Sequence, residues 1–420
     1  MITRVFSSLL SIALAVLLAL PAQAQDTTQK VVPNRQNAPK QQNKPYVILI
    51  SADGFRYDYA EKYRAENLQT LASKGVSADA LIPSFPSITF PNHYTLVTGM
   101  YPAHHGLVGN NIYDPKLNER YSMSNAKAVK NPVWYGGIPI WTLAEQQRLL
   151  SASFYWPGSE APIGGMLPSY YYAYNEKIPI ERRIQTVVNW LSLPADKRPH
   201  LINFYLPEVD HAGHLYGPDA PETEKAVHFV DSAINALNLA VQQTGLPVNF
   251  IFVSDHGMKT INRNEPLSLP FPVDTAEMTV VSNGTLVNIH VKDKKKTRSI
   301  YESIPKSDKF KAYLCDEVPA KYHYGKKDDK YNRIGDILLF ANAPYYFSTR
   351  KPNPGAHGFD PYETPEMQAT FIAWGPAFKE GIKIGAFENI HIYALLAKIL
   401  KLPYKHAIDG DSKIAKEVLK

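Results

Sequence analysis

The sequence predicts an α/β fold: a mostly parallel central sheet with helices on both faces, plus an irregular smaller lobe. Three observations lead there. Four short, largely apolar runs, at residues 46–51, 201–206, 248–253 and 369–373, have the composition of strands buried on both faces. Helical patterns separate them, at 64–73, 92–98, 181–191, 222–243 and 391–400, and strands alternating with helices favour a parallel sheet. Three of the four runs lead into an aspartate, Asp53, Asp210 or Asp255, and open α/β sheets build their sites at the carboxyl ends of strands.

Ahead of the first strand, Arg4, the apolar run 9–20 and the small-x-small sequence Ala22-Gln23-Ala24 read as a signal peptide over residues 1–24. The run is too short to span a bilayer comfortably. An exported protein, periplasmic or secreted and without stable membrane insertion after cleavage, is therefore expected. No cysteine follows the run, which argues against a lipoprotein. Residues 25–43 are rich in Gln, Asn, Lys and Pro and predict a disordered tether. Residues 44–420 then form the folded, catalytic part. Within it, 114–180 and 266–353 fit the alternation poorly and are expected to be insertions, the second supplying the smaller lobe.

Composition narrows the chemistry. With 45% hydrophobic and 11% aromatic residues, the 420-residue chain can bury a substantial core. Cys315 is the only cysteine, so no internal disulfide is possible and thiol chemistry has little basis. It also lacks the Cys-x-Pro-x-Arg setting of sulfatases. Net charge is +6, but residues 1–43 hold four cations and one acid and carry +3 of it. The remaining +3 forms no dense basic stripe, since Asp293 interrupts the Lys292 to Lys296 run. Duplex nucleic acid is not an expected partner.

The strand ends offer an inventory of metal ligands. Asp53, Asp210 with His214, Asp255 with His256, and His357 between Gly355 and Gly358 supply three carboxylates and three imidazoles. That donor set suits two divalent cations of the zinc type. Asp210 and His214 are one helical turn apart and would share a face. Alone, such a pair would read more simply as an N-cap and a surface histidine; its place after a buried strand, with Gly213 and Gly217, favours a site. Asp255 and His256 would face opposite sides of a regular strand, so both can serve one site only where the backbone turns, as Gly257 allows.

Thr89, followed by Phe90 and Pro91, reads as the N-cap of a helix closed by Gly99. Unpaired N–H groups at that helix start would favour an oxyanion. A threonine hydroxyl is a weak nucleophile until a metal ion lowers its pKa, so nucleophile and ligands match. His93, His104 and His105 are read as packing residues and His211 as a rim residue.

Taken in order, several segments resemble the nucleotide pyrophosphatase/phosphodiesterase family of the alkaline phosphatase superfamily. They are Ser51-Ala52-Asp53-Gly54, residues 89–99, Gly106-Leu107-Val108-Gly109-Asn110, Trp156-Pro157-Gly158-Ser159, residues 210–214, Ser254-Asp255-His256-Gly257-Met258 and His357-Gly358. The resemblance runs from Tyr46 to about Leu402 and implies an alkaline phosphatase-like fold with two zinc ions. One would be held by Asp53, Thr89, Asp255 and His256, the other by Asp210, His214 and His357. Thr89 would attack phosphorus in line, giving a phosphorylated threonine that water hydrolyses. Asn110 would donate to a non-bridging phosphate oxygen.

Phe90 and Tyr171 match positions where the family grips a base, and Tyr205 is a third candidate. Residues 155–160 hold no Lys or Arg of the kind monoesterases use for the extra phosphate charge. A small-molecule nucleotide diester or phosphoanhydride, releasing a nucleoside 5′-monophosphate, is therefore expected, with the base weakly specified because aromatic faces stack on any base. A choline-phospholipid phosphodiesterase and an alkaline phosphomonoesterase of the same superfamily are the alternatives. An exported binding protein is the reading from another class.

Overall fold

Nine strands form the central sheet of the computed structural model, which describes residues 26–420. The expected signal peptide, residues 1–24, lies outside the described residues. In chain order the strands are β1 (Gln29–Val31), β2 (Tyr46–Ala52), β3 (Val76–Ala78), β4 (Ser151–Phe154), β5 (Tyr170–Tyr172), β6 (Leu201–Leu206), β7 (Val248–Val253), β8 (Phe371–Trp374) and β9 (Ile382–Ile384). Across the sheet they run β1-β5-β4-β6-β2-β7-β8-β3-β9. The five neighbours β5, β4, β6, β2 and β7 are parallel. β8 runs antiparallel to β7, which is why the fourth apolar run does not end at the site as the other three do.

Alternation along β2 explains the two-sided burial. Ile48 and Ile50 pack with Leu68 of α1 (Glu66–Lys74), Trp190 of α4 (Ile180–Leu191) and Ile234 of α6 (Pro221–Gln242). Val47 and Leu49 pack on the opposite face, with Tyr94 of α2 (Thr89–Thr98), Trp141 of α3 (Ile140–Gln146) and Leu395 of α7 (Ile392–Ile399). Successive side chains point to opposite faces, so a strand covered on both sides must be apolar throughout.

The smaller lobe is regular. Strands Met278–Ser282, Leu286–Val291, Ile337–Ala341 and Phe310–Leu314 form an antiparallel sheet in that spatial order, around Val287, Ile289, Ile337 and Leu339. The first irregular stretch is not simply an insertion either, since it contributes β4, β5 and α3 to the main body. Ser151 and Ser153 break the apolar signal of β4, yet both are fully buried, their hydroxyls bonded to Glu145 Oε1 at 2.8 Å and Ser159 Oγ at 2.9 Å.

Residues 26–43 are an ordered strap rather than a tether. β1 pairs antiparallel with β5 at the sheet edge. The Asn37 amide bonds three backbone groups: it donates to Ala195 O at 2.9 Å and Arg198 O at 2.7 Å, and accepts from Leu150 N at 2.7 Å. Gln41, also buried, donates to Gln147 O at 2.7 Å. Composition counts apolar residues, and this segment docks through amides and a strand edge instead.

Candidate two-metal active site

β2, β6 and β7 bring their candidate ligands to one end of the sheet. Beyond β2, Asp53 N extends the ladder to Leu206 O at 2.9 Å and its side chain is buried. Gly54 follows at φ +68°, where an added Cβ would lie 2.9 Å from Asp210 Cα. Glycine there lets the end of β2 close on helix α5 (Glu208–Tyr216), which carries Asp210 and His214. Gly355 plays the same part for the last ligand: its Cβ would lie 2.1 Å from Gly213 O, so α5 and the His357 loop meet backbone to backbone.

All three imidazoles are oriented alike. His214 Nδ1 lies 2.9 Å from Gly355 O, His256 Nδ1 2.9 Å from Gly257 O, and His357 Nδ1 3.0 Å from Ser87 O. A carbonyl only accepts, so each Nδ1 carries the proton and each Nε2 presents a bare lone pair, the orientation of metal-binding histidines. His214 Nε2 and His357 Nε2 are 3.0 Å apart, and 3.5 and 3.6 Å from Asp210 Oδ1. His256 Nε2 lies 3.0 Å from Asp255 Oδ2, 3.5 Å from Asp53 Oδ1 and 3.1 Å from Thr89 Oγ1.

These contacts define two candidate metal groups, Asp210 with His214 and His357, and Asp53 with Asp255 and His256. Asp53 Oδ1, Asp210 Oδ1 and Asp255 Oδ2 are buried without a hydrogen-bond donor. Burial, then the charges of Asp255 and Asp210, pushes the Asp53 carboxyl well above its usual range. Burial would also raise Asp255, but His256 and His93 beside it hold it well below. Burial, then His256 and His214, keeps His357 neutral. Orphaned carboxylate oxygens facing imidazole Nε2 atoms are a donor set that a divalent cation satisfies.

Thr89 is the first helical residue of α2, not its N-cap; Ile88, at φ −120° and ψ 147°, takes that place. The hydroxyl is thereby kept from capping the helix and lies beside His256. The expected row of free amides is shortened, because Phe90 N donates to Asn110 Oδ1 at 3.0 Å and Pro91 has no N–H. With Oδ1 engaged, the amide nitrogen of Asn110 is the group left for a ligand.

A cavity of about 470 Å³ opens on Asp53, Thr89 and Asp210, walled by Phe90, Trp156, Tyr174 and Tyr205. Tyr171 is not among them. It sits mid-strand in β5, paired with Lys30 and Ser153, and three residues further on Tyr174 reaches the cavity. Tyr174 is held at both ends: its N donates to Glu160 Oε1 at 3.0 Å and its hydroxyl to Glu176 Oε1 at 2.7 Å. Tyr205 lines the cavity, but its hydroxyl donates to Asp53 Oδ2 at 2.6 Å, which makes it a support for a candidate ligand. His211 is on the cavity wall, as expected of a rim residue.

Residues 47–360 match the family model for type I phosphodiesterase / nucleotide pyrophosphatase. The chain belongs to this family. It is 35% identical over 382 residues to mouse ectonucleotide pyrophosphatase/phosphodiesterase family member 1, covering 87% of the chain and 42% of that protein. It is 37% identical over 371 residues to venom phosphodiesterase 2 of Crotalus adamanteus, covering 85% and 45% respectively. The chain thus spans less than half the length of these curated relatives. Among solved structures, murine ectonucleotide pyrophosphatase/phosphodiesterase 5 superposes with a TM-score of 0.82 at 29% identity, over 89% of this chain and all of that one. An inactive threonine-to-alanine form of the same murine protein, in complex with AMP, superposes with a TM-score of 0.83 at 29% identity, over 90% and 100%. The fold is therefore that of the phosphodiesterase family, in the alkaline phosphatase superfamily.

Within this family member, the other histidines divide. His105 packs against Thr95 and His104 pairs with Asp409 at 2.7 Å, both away from the ligands. His93 does more than pack. Its Nδ1 lies 3.0 Å from Thr89 O and 3.2 Å from Asp255 Oδ2, while Nε2 meets Ser51 Oγ at 2.9 Å. Its spacing of four from Thr89 on a helix was the available signal. Cys315 is buried, its thiol pushed up by burial to about 12, which leaves it inert.

Proposed function

We propose that the protein is an exported two-zinc phosphodiesterase/pyrophosphatase that cleaves nucleotide phosphodiester or phosphoanhydride bonds and releases nucleoside 5′-monophosphates. The observation that carries this reading is the position of Thr89 Oγ1, 3.1 Å from His256 Nε2 in one ligand group and in the wall of the aromatic cavity. Asp53, Asp255, His256 and Thr89 would hold one cation, and Asp210, His214 and His357 the other. When bound, the cations would lower the pKa of the threonine hydroxyl and offset charge on the phosphoryl oxygens.

Phe90 and Tyr174, which line the cavity beside Thr89, hold the nucleoside by stacking; a nucleotide ligand is supported by the AMP complex of the murine relative. Thr89 Oγ loses its proton to solvent and bonds to phosphorus as the P–O bond to the leaving group breaks; the leaving oxygen keeps the electron pair and takes up a proton from solvent. The nucleotide is then esterified to Thr89. Water adds to phosphorus, the P–Oγ bond breaks, and the threonine hydroxyl is restored. One diester and one water thus give one nucleoside monophosphate and one released hydroxyl compound. The Asn110 amide donates to a non-bridging oxygen, acting on charge that develops in the transition state. Tyr205 and His93 act as positioning residues, through Asp53 and through Asp255 with the Thr89 carbonyl.

Among the described residues, Lys130 is the only Lys or Arg lining the aromatic cavity, and it lies 3.5 Å from Glu160. A monoester's extra charge would have no free cation there, which favours a diester. Export is supported by the signal-like residues 1–24, and no helix among the described residues is long and apolar enough to cross a membrane. Zinc-loaded protein should cleave p-nitrophenyl thymidine 5′-monophosphate far faster than p-nitrophenyl phosphate or a phosphocholine ester. The reverse preference would assign it to monoesterases or lipid phosphodiesterases.

A further inference from the structure

Residues 173–179 join β5 to α4 and carry Tyr174 to the aromatic cavity. Packing does little to fix Tyr174, which is 46% exposed. Polar contacts do more, and they converge on Arg183, a buried residue of α4. Its guanidinium donates in three directions: Nε to Ile178 O at 2.8 Å, Nη2 to Glu176 O at 3.3 Å and Nη1 to Glu208 Oε1 at 3.0 Å. The first two acceptors lie in the loop, and Glu176 also accepts from the Tyr174 hydroxyl. The third belongs to the first residue of α5, two positions before Asp210. Glu208 Oε2 is buried without a donor, so Arg183 supplies the charge that this carboxylate needs. Tyr155 adds to the support. Its hydroxyl donates to Asn175 O, its ring is edge-on to Tyr174 with centroids 5.2 Å apart, and the Arg183 guanidinium lies 5.8 Å from its ring centroid.

One buried cation therefore ties a loop of the cavity wall to the helix that carries two candidate metal ligands, Asp210 and His214. We propose that Arg183 is a positioning residue for the nucleoside: it fixes Tyr174 against the metal-ligand helix before substrate arrives. The proposal rests on the nucleotide reading above and accounts for how one wall of that cavity is kept in place. A planar guanidinium can serve three diverging acceptors at once, whereas a lysine ammonium is a single point on a flexible stem. An aromatic face fixed in advance spares the substrate the cost of ordering it, and that saving appears in binding. Neither Glu176 nor Ile178 belongs to the candidate metal groups, so these loop bonds act on the retained half of the substrate rather than on bond breaking.

Arg183→Ala would leave Glu208 as an unpaired buried charge and confuse folding with positioning. The test therefore uses Arg183→Lys, which keeps a cation for Glu208 and loses the fork, on two zinc-dependent diester cleavages. p-Nitrophenyl thymidine 5′-monophosphate carries a nucleoside; methyl p-nitrophenyl phosphate has the same leaving group and no ring on the retained side. For the nucleoside ester, KM should rise about fivefold or more with kcat within about threefold of wild type. For the methyl ester, kcat/KM should stay within about twofold. In a Tyr174→Ala background, Arg183→Lys should add less than about twofold to the loss on the nucleoside ester, because it acts through the residue already removed. Amide hydrogen exchange in Arg183→Lys should be faster over residues 174–178 and unchanged over 208–216. Equal losses on the two diesters, or losses that multiply in the Tyr174→Ala background, would overturn the proposal, as would unchanged exchange over 174–178. A wild type with no preference for the nucleoside ester would instead sink the nucleotide reading, and hydrogen exchange would still decide whether Arg183 fixes Tyr174.

Discussion

His214 Nε2 and His357 Nε2 face each other at 3.0 Å with both ring protons committed elsewhere, to Gly355 O and Ser87 O. No proton lies between them to make a hydrogen bond. Two lone pairs at that distance repel, and a shared cation with Asp210 removes the conflict. His214→Ala should therefore lower bound metal from two ions per chain to one, and turnover by more than roughly 100-fold. Elemental analysis of the purified variant beside wild type checks this. EDTA should abolish activity in wild type and added zinc should restore it.

Tyr205 separates positioning from stacking. Its hydroxyl donates to Asp53 Oδ2 at 2.6 Å, while its ring lies edge-on to Tyr174, with centroids 6.0 Å apart. Tyr205→Phe keeps the ring and removes the bond. Loss of such a support to a ligand costs roughly 10- to 100-fold in metal affinity or activity. A metal titration with unchanged affinity, together with unchanged kcat, would return Tyr205 to a stacking role.

The strap over residues 26–43 predicts a stability effect far from the chemistry. Asn37→Ala leaves Leu150 N, Ala195 O and Arg198 O without the amide they bond. Unpaired buried groups of this kind cost about 2–3 kcal/mol together, allowing for partial rehydration. The urea midpoint should fall by the corresponding amount while KM for a nucleotide ester stays near wild type.

Three buried histidines set an acid limit on stability. Burial lowers His105 from 6.5 to about 3, and His200 and His290 to about 4. Each stays neutral in the fold while the unfolded chain takes up protons below about pH 6.5. Their contribution is thus intact above pH 6.5 and declines as pH falls towards 4. Denaturation midpoints measured at pH 7.5, 6 and 5 should decrease in that order; a flat profile would contradict the assignment.

Much of the site could be read from residues alone, because the strands that carry it are buried on both faces and end in the ligands themselves. Asp53, Asp255 and His256 fall in one candidate metal group and Asp210, His214 and His357 in another, with Thr89 beside His256; the strand ends account for the three aspartates, the helix start for Thr89 and a loop for His357. What failed were matters of register and of polar docking. Tyr170-Tyr171-Tyr172 form a strand, so the residue that reaches the cavity is Tyr174, beyond it. β4 escaped notice because its serines are satisfied by Glu145 and Ser159, contacts that composition does not reveal. The roles of Tyr205 and His93 depend on which atom each hydroxyl and ring nitrogen meets, and only the fold supplies that.

The central claim is that Thr89 carries the nucleotide between the two steps. Acid quenching of zinc-loaded protein during turnover of p-nitrophenyl thymidine 5′-monophosphate, followed by peptide mass spectrometry, tests it directly. A thymidylyl adduct on Thr89 in wild type, and neither adduct nor turnover in Thr89→Ala, is the predicted result. Undiminished turnover by Thr89→Ala would contradict it.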